Sequence, residues 1–185
     1  MIKDNNSTPW QQLALKQLDA LLCFAMALTN NKIDAEDLVQ ETFVQAIPRF
    51  NDLNPDSNLK AWLFTIMRNT WLKKLRRTRS GPDFVDLDTA IISACDIEKN
   101  DPQSSCIRLW EREEIRLALE QLPAQCREIV VLGDIEGFSY KEMAEILDCP
   151  VGTIMSRLSR ARAKLKQALN CRWGSTLNSY KQANL

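Results

Sequence analysis

The chain has 185 residues, with 24 basic and 24 acidic side chains, no histidine and 45% apolar residues. This apolar content is enough for a packed core, and only five glycines argue against a glycine-rich β architecture. No apolar stretch approaches the roughly 20 residues of a membrane-spanning helix. The polar N-terminus lacks the apolar segment of a signal peptide, so we expect a cytoplasmic protein with no membrane insertion.

The cysteines give no sign of a metal site. All six are scattered without a C-x-x-C pair, and the absence of histidine excludes a site built from cysteine and histidine. We expect buried, reduced thiols that pack as small apolar groups, with a redox role as the alternative. We predict no catalytic residue, no metal site and no cofactor.

Charge is strongly segregated although its sum is zero. Residues 60–82 hold seven Lys or Arg and no acid, and residues 149–185 repeat that count. Between them, residues 83–148 hold 16 acids and six bases. Two basic stretches separated by an acidic one indicate two places that meet a polyanion, with solvated helix faces as the alternative.

The N-terminal third has helical periodicity. Apolar residues recur every three or four positions from Trp10 to Met26, and Asn30-Asn31 interrupts them. A second helix is predicted from Asp34, as its N-cap, to Pro48. A third spans residues 59–77, with Trp62 on its apolar side and basic residues at its end.

Periodicity is lost after this helix and resumes near Ser105. The intervening segment is acidic and contains Gly81-Pro82, so it reads as a linker. The predicted fold is all-α, with two small helical domains joined by a flexible acidic linker. The predicted boundaries are 1–78, 79–104 for the linker, 105–172, and 173–185 for a C-terminal tail.

The second domain contains a helix-turn-helix pattern. Pro123 suits the first position of a helix, and Ser139-Tyr-Lys-Glu142 matches a capping box at the start of another. A turn at residues 148–150 leads into a last helix. Its predicted packing stripe has 3, 4, 3, 4 spacing: Val151, Ile154, Leu158, Ala161 and Leu165.

The opposite side of that last helix suits DNA. Arginine can pair with guanine in the major groove, serine can pair with several base edges, and the first turns of a recognition helix are the ones that dock. Gly152 lacks a side chain and lets the backbone approach a phosphate. These features indicate a DNA-recognition helix.

Three segments carry a family resemblance. The C-terminal SYKEMAEILDCPVGTIMSRLSRARAKL, with LPAQCREIVVLGDIEGFSY before it, resembles region 4 of the extracytoplasmic-function (ECF) branch of the sigma-70 family. The stretches DAEDLVQETFVQAIPRF and LKAWLFTIMRNTWLKKLRR resemble region 2 of the same family. The resemblance implies a sigma factor that recruits bacterial RNA polymerase to promoters and is commonly held by an anti-sigma factor.

The resemblance also implies roles for individual residues. In region 2, those implied to bind the β′ clamp of core polymerase are Asp34, Asp37, Gln40 and Glu41. Those implied to contact the minus-10 element are Met67, Arg68, Asn69, Thr70, Trp71, Lys73, Lys74, Arg76 and Arg77, although Trp71 is equally compatible with packing. Region 4 of the family binds the β flap and the minus-35 element. Its implied DNA contacts are Gly152, Thr153, Met155, Ser156, Arg157, Ser159 and Arg160.

Two other functional classes were weighed. The hypothesis of a self-contained helix-turn-helix regulator predicts a dimer that binds paired half-sites. It gives no explanation for residues 34–77. A cysteine-based enzyme or redox sensor lacks a histidine base, a metal-binding spacing and a Gly-rich phosphate loop. The sigma-factor reading accounts for both basic stretches, with the acidic linker as a mimic of nucleic acid.

Overall fold

The computed structural model describes residues 9–54, 57–78 and 113–182. We name residues 9–78 the N-terminal unit and residues 113–182 the C-terminal unit. The helices of the N-terminal unit are α1 (Pro9–Leu15), α2 (Leu18–Thr29), α3 (Lys32–Ala46), a 3-10 helix (Ile47–Asp52) and α4 (Leu59–Thr78). The helices of the C-terminal unit are α5 (Glu113–Glu120), α6 (Ala124–Val130), a π-helical turn (Val131–Ile135), α7 (Tyr140–Ile146) and α8 (Val151–Gln182).

Helix α2 is the central helix of the N-terminal unit. Every residue from Cys23 to Thr29 is buried, because α3 and α4 pack against α2 on different sides. Its last turn ends at Asn30, whose φ of 55° is left-handed and closes the helix. The predicted helix over residues 59–77 is confirmed, since α4 runs from Leu59 to Thr78.

The N-cap of helix α3 lies three residues before the predicted one. The N-cap is Asn31, whose side-chain oxygen accepts the N–H of Asp34 at 3.1 Å. Asp34 therefore lies in the first turn, where its charge favours the positive end of the helix. The prediction of Asp34 as the cap was wrong because Asn31 supplies the same kind of acceptor earlier.

The C-terminal unit contains the predicted helix-turn-helix. The capping box is confirmed: Ser139 accepts from the backbone of Glu142, and the Glu142 carboxylate accepts from the Ser139 N–H. Gly137 precedes it with φ +72°, a conformation that side chains disfavour. Pro123 caps α6 rather than opening it. Helix α8 continues past 172 to Gln182, so the predicted tail begins within a helix.

The two units pack against each other, which the sequence pattern did not predict. Helix α6 contacts α2, helix α7 contacts α4, and buried residues of both units form one apolar cluster. The described helices agree with the predicted all-α class. The predicted linker, residues 79–104, lies outside the described residues.

Candidate functional site

The exposed face of α3 is acidic in the middle and apolar at both ends. Asp37 and Gln40 are exposed and lie between Ile33 and Val44, which are 71% and 70% exposed. The spacing 33, 37, 40, 44 places all four on one side of the helix. The sequence reading identified the polar pair and missed the two apolar residues, although that same spacing carried the signal.

The other two predicted polymerase-binding residues lie where α3 approaches the end of α4. Asp34 is exposed and lines an open cavity of about 470 Å³ together with Trp71 and Arg77. Glu41 forms an ion pair with Lys74 at 2.9 Å, and both side chains are more than one-third exposed. Residues predicted to bind polymerase and residues predicted to bind DNA therefore meet at this edge.

The second half of α4 presents a polar, basic face. Asn69, Lys73 and Arg76 are exposed, and their 4 and 3 spacing places them on one side, with Arg77 next to them. Trp71 is half-buried and packs against the apolar core while it lines the cavity. Trp62 also packs on the core, with its ring 6.0 Å from that of Phe50, as its place in the apolar stripe predicted.

Two predicted minus-10 residues are not accessible in this arrangement. Met67 is fully buried in the core, and Thr70 is 2% exposed. The Thr70 hydroxyl donates to the carbonyl of Ile66 at 2.8 Å and accepts from the Gln45 amide at 2.9 Å. Their burial follows from the helical period, which turns positions 63, 66, 67 and 70 toward α2 and α3. They stabilise the packing of α4 here rather than presenting groups to DNA.

Arg68 is held by the C-terminal unit. Its Nε donates to the Glu128 carboxylate at 2.8 Å, and the two side chains are 15% and 13% exposed. Burial raises the pKa of the Glu128 carboxyl above its ordinary value, and Arg68 and Arg157 oppose that rise. Glu128 thus interacts with one guanidinium from each of the two predicted DNA-binding surfaces.

The first half of α4 also contacts the C-terminal unit. Lys60 Nζ lies 2.9 Å from the Glu136 carboxylate and 4.9 Å from the Phe138 ring centroid. The Phe138 ring stands edge-on to that of Phe64, at 4.9 Å between centroids. These polar and aromatic contacts cover the first turns of α4.

Arg127 joins the C-terminal unit to the end of α2. Its Nε donates to the carbonyl of Ala27 at 2.6 Å, and its Nη1 donates to the Asn30 side chain at 3.3 Å. The residue is 3% exposed, and burial lowers the pKa of the guanidinium. A cation at the C-terminal end of α2 satisfies a last-turn carbonyl and interacts favourably with the helix dipole.

The buried side of α8 is shorter than predicted. Ile154, Leu158 and Ala161 are fully buried, whereas Val151 is 41% exposed. Val151 is the first residue of the helix, and the buried part of the stripe begins about one turn later, at Ile154. The prediction of Val151 as a packing residue was therefore wrong.

The outward side of α8 carries the predicted minus-35 residues. Thr153 is half-buried, and those that are exposed are Gly152, Met155, Ser156, Arg157, Ser159 and Arg160. The Ser156 hydroxyl donates to the Thr153 carbonyl at 3.0 Å, and Arg160 Nε donates to the Ser156 carbonyl at 3.2 Å. Apart from its two chain neighbours and the surrounding helix backbone, no atom of the described residues lies within 4 Å of the place where a Cβ on Gly152 would stand, so packing does not require glycine there. Further along α8, Arg162 is bound by Asp134, which raises the pKa of that guanidinium.

The cysteines differ from one another. Cys126 and Cys149 are free thiols, in agreement with the expected reduced state, whereas Cys23 is disulfide-bonded, which was not expected. Within the described ranges, no group of three or more acidic or cysteine side chains is arranged to hold a metal ion. No described helix is both long and apolar enough to cross a membrane.

Comparison with protein families matches both units. Residues 14–81 match the sequence model of Sigma-70 region 2, and residues 112–165 match that of Sigma-70 region 4. The ECF RNA polymerase sigma factor EcfG of Rhodopseudomonas palustris is 40% identical over 155 residues, which are 84% of this chain and 82% of that protein. The RNA polymerase sigma-H factor of Pseudomonas aeruginosa is 31% identical, over 85% of this chain and 84% of its own length.

Solved structures give the same result. The sigma factor RpoE of Bartonella quintana, in complex with the anti-sigma factor NepR, is 35% identical with a TM-score of 0.65. The alignment covers 87% of this chain and 96% of that one. CnrH, in complex with the cytosolic domain of CnrY, is 30% identical with a TM-score of 0.60, over 88% of each chain. From the two regions, their order and these identities, the chain belongs to the ECF sigma factors of bacterial RNA polymerase.

Proposed function

We propose that this chain binds core RNA polymerase and directs it to promoters, with the exposed face of α3 on the polymerase clamp and α8 on the minus-35 element. The observation that carries the proposal is the presence of an acidic exposed face on α3 and a cationic exposed face on α8 in one chain. An acidic face suits a basic protein partner, whereas a cationic helix with its first turns exposed suits the major groove.

On α3, the binding face combines charge with apolar area. Asp37 and Gln40 supply the polar contacts, and the exposed Ile33 and Val44 extend the same face at either end. Burying exposed aliphatic side chains supplies binding energy that the polar pair alone lacks, while the charges set orientation and association rate. Asp34 and Glu41 lie beside this face and contribute to it from its edge.

On α4, the minus-10 contacts divide by accessibility. Asn69, Lys73, Arg76 and Arg77 meet DNA from one face, where Asn reads a base edge and the cations hold phosphates. Trp71 is half-buried, so only the exposed part of its ring is available to stack on an unpaired base. In the arrangement described, Met67 and Thr70 are buried and stabilise the packing of the helix.

The proposal also covers catalysis, cellular location and a regulatory partner. The chain carries no catalytic residue or cofactor, because polymerase supplies the phosphoryl-transfer chemistry, and it works in the cytoplasm. An anti-sigma factor covers its polymerase-binding surface when transcription is not required. The complexes of RpoE with NepR and of CnrH with CnrY support that expectation.

The polymerase contact is tested by a charge reversal in the middle of the α3 face. Asp37→Arg should lower the affinity for core polymerase at least about tenfold, because it places a cation against a basic partner. Asp19→Arg makes the same change at an exposed position in the first turn of α2 and serves as the matched control. Equal affinities of the two variants, measured by fluorescence anisotropy with folded proteins, would remove α3 from the interface.

A further inference from the structure

The C-terminal unit places two carboxylates and a ring against one side of α4. Positions 60, 64 and 68 lie one turn apart on that helix, and each meets a partner. The three pairs are Lys60 with Glu136, Phe64 with Phe138, and Arg68 with Glu128. Asn58, just before the helix, adds a bond from its amide to Glu142 at 2.6 Å. The C-terminal unit therefore offers an acidic surface to a helix with predicted DNA contacts.

The pair of Arg68 and Glu128 is the most enclosed polar part of this surface. Its atoms are 2.8 Å apart, and both side chains are at least 85% buried. A guanidinium paired with a carboxylate has the donors that would otherwise take a DNA phosphate or base. The same carboxylate is close enough to Arg157 of α8 to interact with it electrostatically.

We propose that Glu128 is an internal latch, which holds the two units together and occupies Arg68 until polymerase or promoter DNA separates them. The proposal rests on the proposed function, because Arg68 must have a DNA role to be withheld. A carboxylate that pairs with Arg68 competes directly with phosphate. A chain that is closed for about 90% of the time binds DNA through Arg68 about tenfold more weakly than an open one.

The latch is tested by Glu128→Arg in the full chain. This change places a second guanidinium against that of Arg68 inside the interface, so we expect the units to separate and the radius of gyration from small-angle X-ray scattering to increase. Glu145→Arg makes the same change at an exposed position of α7 and is the matched control. A second substitution, Arg68→Glu in the Glu128→Arg chain, restores the pair with reversed charges and should return the radius to the wild-type value.

DNA binding supplies the second readout. Glu128→Arg should bind a single-stranded oligonucleotide carrying a minus-10 sequence several-fold more tightly than Glu145→Arg does. Where Glu128→Arg is poorly folded by circular dichroism, Glu136→Arg opens the same interface through Lys60. The latch would be overturned if the Glu128→Arg and Glu136→Arg chains were both folded and had the same radius of gyration as the Glu145→Arg chain. If the wild-type chain did not bind polymerase, the proposed function would be refuted instead. The radius of gyration would still show whether the two units are closed on each other.

A separate observation concerns α8. Val151 and Met155 are 41% and 53% exposed and lie one turn apart on the same side of α8, with the exposed Ser159 one turn further along. Their separation along the helix is about 6 Å, which spans roughly two base-pair steps. Among the groups at base edges in the major groove, the thymine methyl is the apolar one.

We infer that Val151 and Met155 contact thymine methyl groups in the minus-35 element, while the exposed arginines elsewhere on α8 hold phosphates and guanine. This inference also rests on the proposed function of α8. It replaces the packing role expected for Val151 and gives the exposed side chain of Met155 an apolar group to contact in the groove. The two residues then contribute to which promoters the chain selects.

Deoxyuridine differs from thymidine only in lacking the methyl group, so this replacement tests the methyl contact alone. A duplex selected by the chain from a random library is resynthesised with deoxyuridine at one thymine at a time. One or two positions should lose about fourfold in affinity, the effect expected for one buried methyl. Met155→Ala should abolish the loss at one of them, whereas Leu15→Ala, an exposed control on α1, should preserve it. Specific binding with no deoxyuridine effect anywhere would refute this inference and leave DNA recognition by α8 intact.

Discussion

Arg68 of α4 and Glu128 of α6 form an ion pair at 2.8 Å, although they are 60 positions apart in the sequence. The pair joins the unit predicted to contact the minus-10 element to the unit predicted to contact the minus-35 element. Its burial explains why the pKa of Glu128 is raised despite a cation beside it. Under the proposed latch, the closed arrangement uses a guanidinium, that of Arg68, which DNA binding would need.

Arg127→Met should destabilise the closed arrangement by about 2 kcal/mol. The substitution removes two charged hydrogen bonds to the end of α2 and leaves the Ala27 carbonyl without that donor. The measurement is the free energy of unfolding in urea. Lys141→Met, at an exposed site on α7, is the control and should change stability by less than about 0.5 kcal/mol. Similar values for both would mean that the buried contact adds no stability.

Gly152→Ala and Gly137→Ala should act in opposite directions on stability. Gly152 has open space around it within a helix, so alanine should stabilise α8 by up to about 1 kcal/mol. Gly137 has φ +72°, so alanine there should destabilise by about 1 kcal/mol.

The Gly152→Ala variant also tests the proposed DNA role of Gly152. If the backbone at this position approaches a phosphate, Gly152→Ala weakens binding to a minus-35 duplex although the protein is more stable. A more stable variant with unchanged affinity would show that the glycine is not needed for DNA.

The capping box makes stability depend on acid pH. Hydrogen bonds from the Ser139 side chain and backbone lower the pKa of Glu142 below its ordinary value. A lowered pKa means that the folded protein favours the charged carboxylate. Its contribution is thus present above the ordinary pKa, about 4.3, and is lost as the pH falls through the lowered value.

Ser139→Ala should remove most of this pH dependence together with about 1 kcal/mol of stability. The comparison is thermal unfolding of the two proteins as the pH is lowered from neutral through and below the ordinary glutamate pKa, because the pKa of Glu142 is lowered in the folded protein. Parallel curves for wild type and variant would assign the acid sensitivity to other groups.

Lys73→Ala and Asn69→Ala should affect minus-10 binding differently. Lys73 is an exposed cation, so its loss should weaken all oligonucleotides alike and reduce the salt slope by about 0.7 for single strands. Asn69→Ala should instead reduce the preference for the minus-10 sequence, because an amide reads base edges. Lys16→Ala, exposed on the N-terminal unit, is the control. A loss of sequence preference in Lys73→Ala would contradict this division.

Local signals predicted local structure well. The spacing of apolar residues identified α4 and the buried side of α8, and the Ser139–Glu142 pattern identified the start of α7. The contact between the units could not be predicted in this way. Arg127 and Ala27 are 100 residues apart, and no periodic pattern encodes such a partner.

Burial was the second point at which sequence reasoning was incomplete. Met67 and Thr70 belong to a motif that resembles a DNA-binding segment, but the helical period turns them inward. Ile33 and Val44 are apolar yet exposed, so a rule that places apolar residues inside overlooks them. Which residues face a partner depends on packing, and packing is determined by elements distant in sequence.

The account is tested most directly by transcription with purified core RNA polymerase. Polymerase supplied with this chain should produce one defined transcript from a promoter that the chain selects, and none from a scrambled minus-35 element. Polymerase supplied with the Asp37→Arg chain should produce little of that transcript, and the Asp19→Arg chain should behave as wild type. Absence of promoter-specific transcript with the folded wild-type chain, across promoters selected by its own DNA binding, would contradict the assignment as a promoter-recognition subunit.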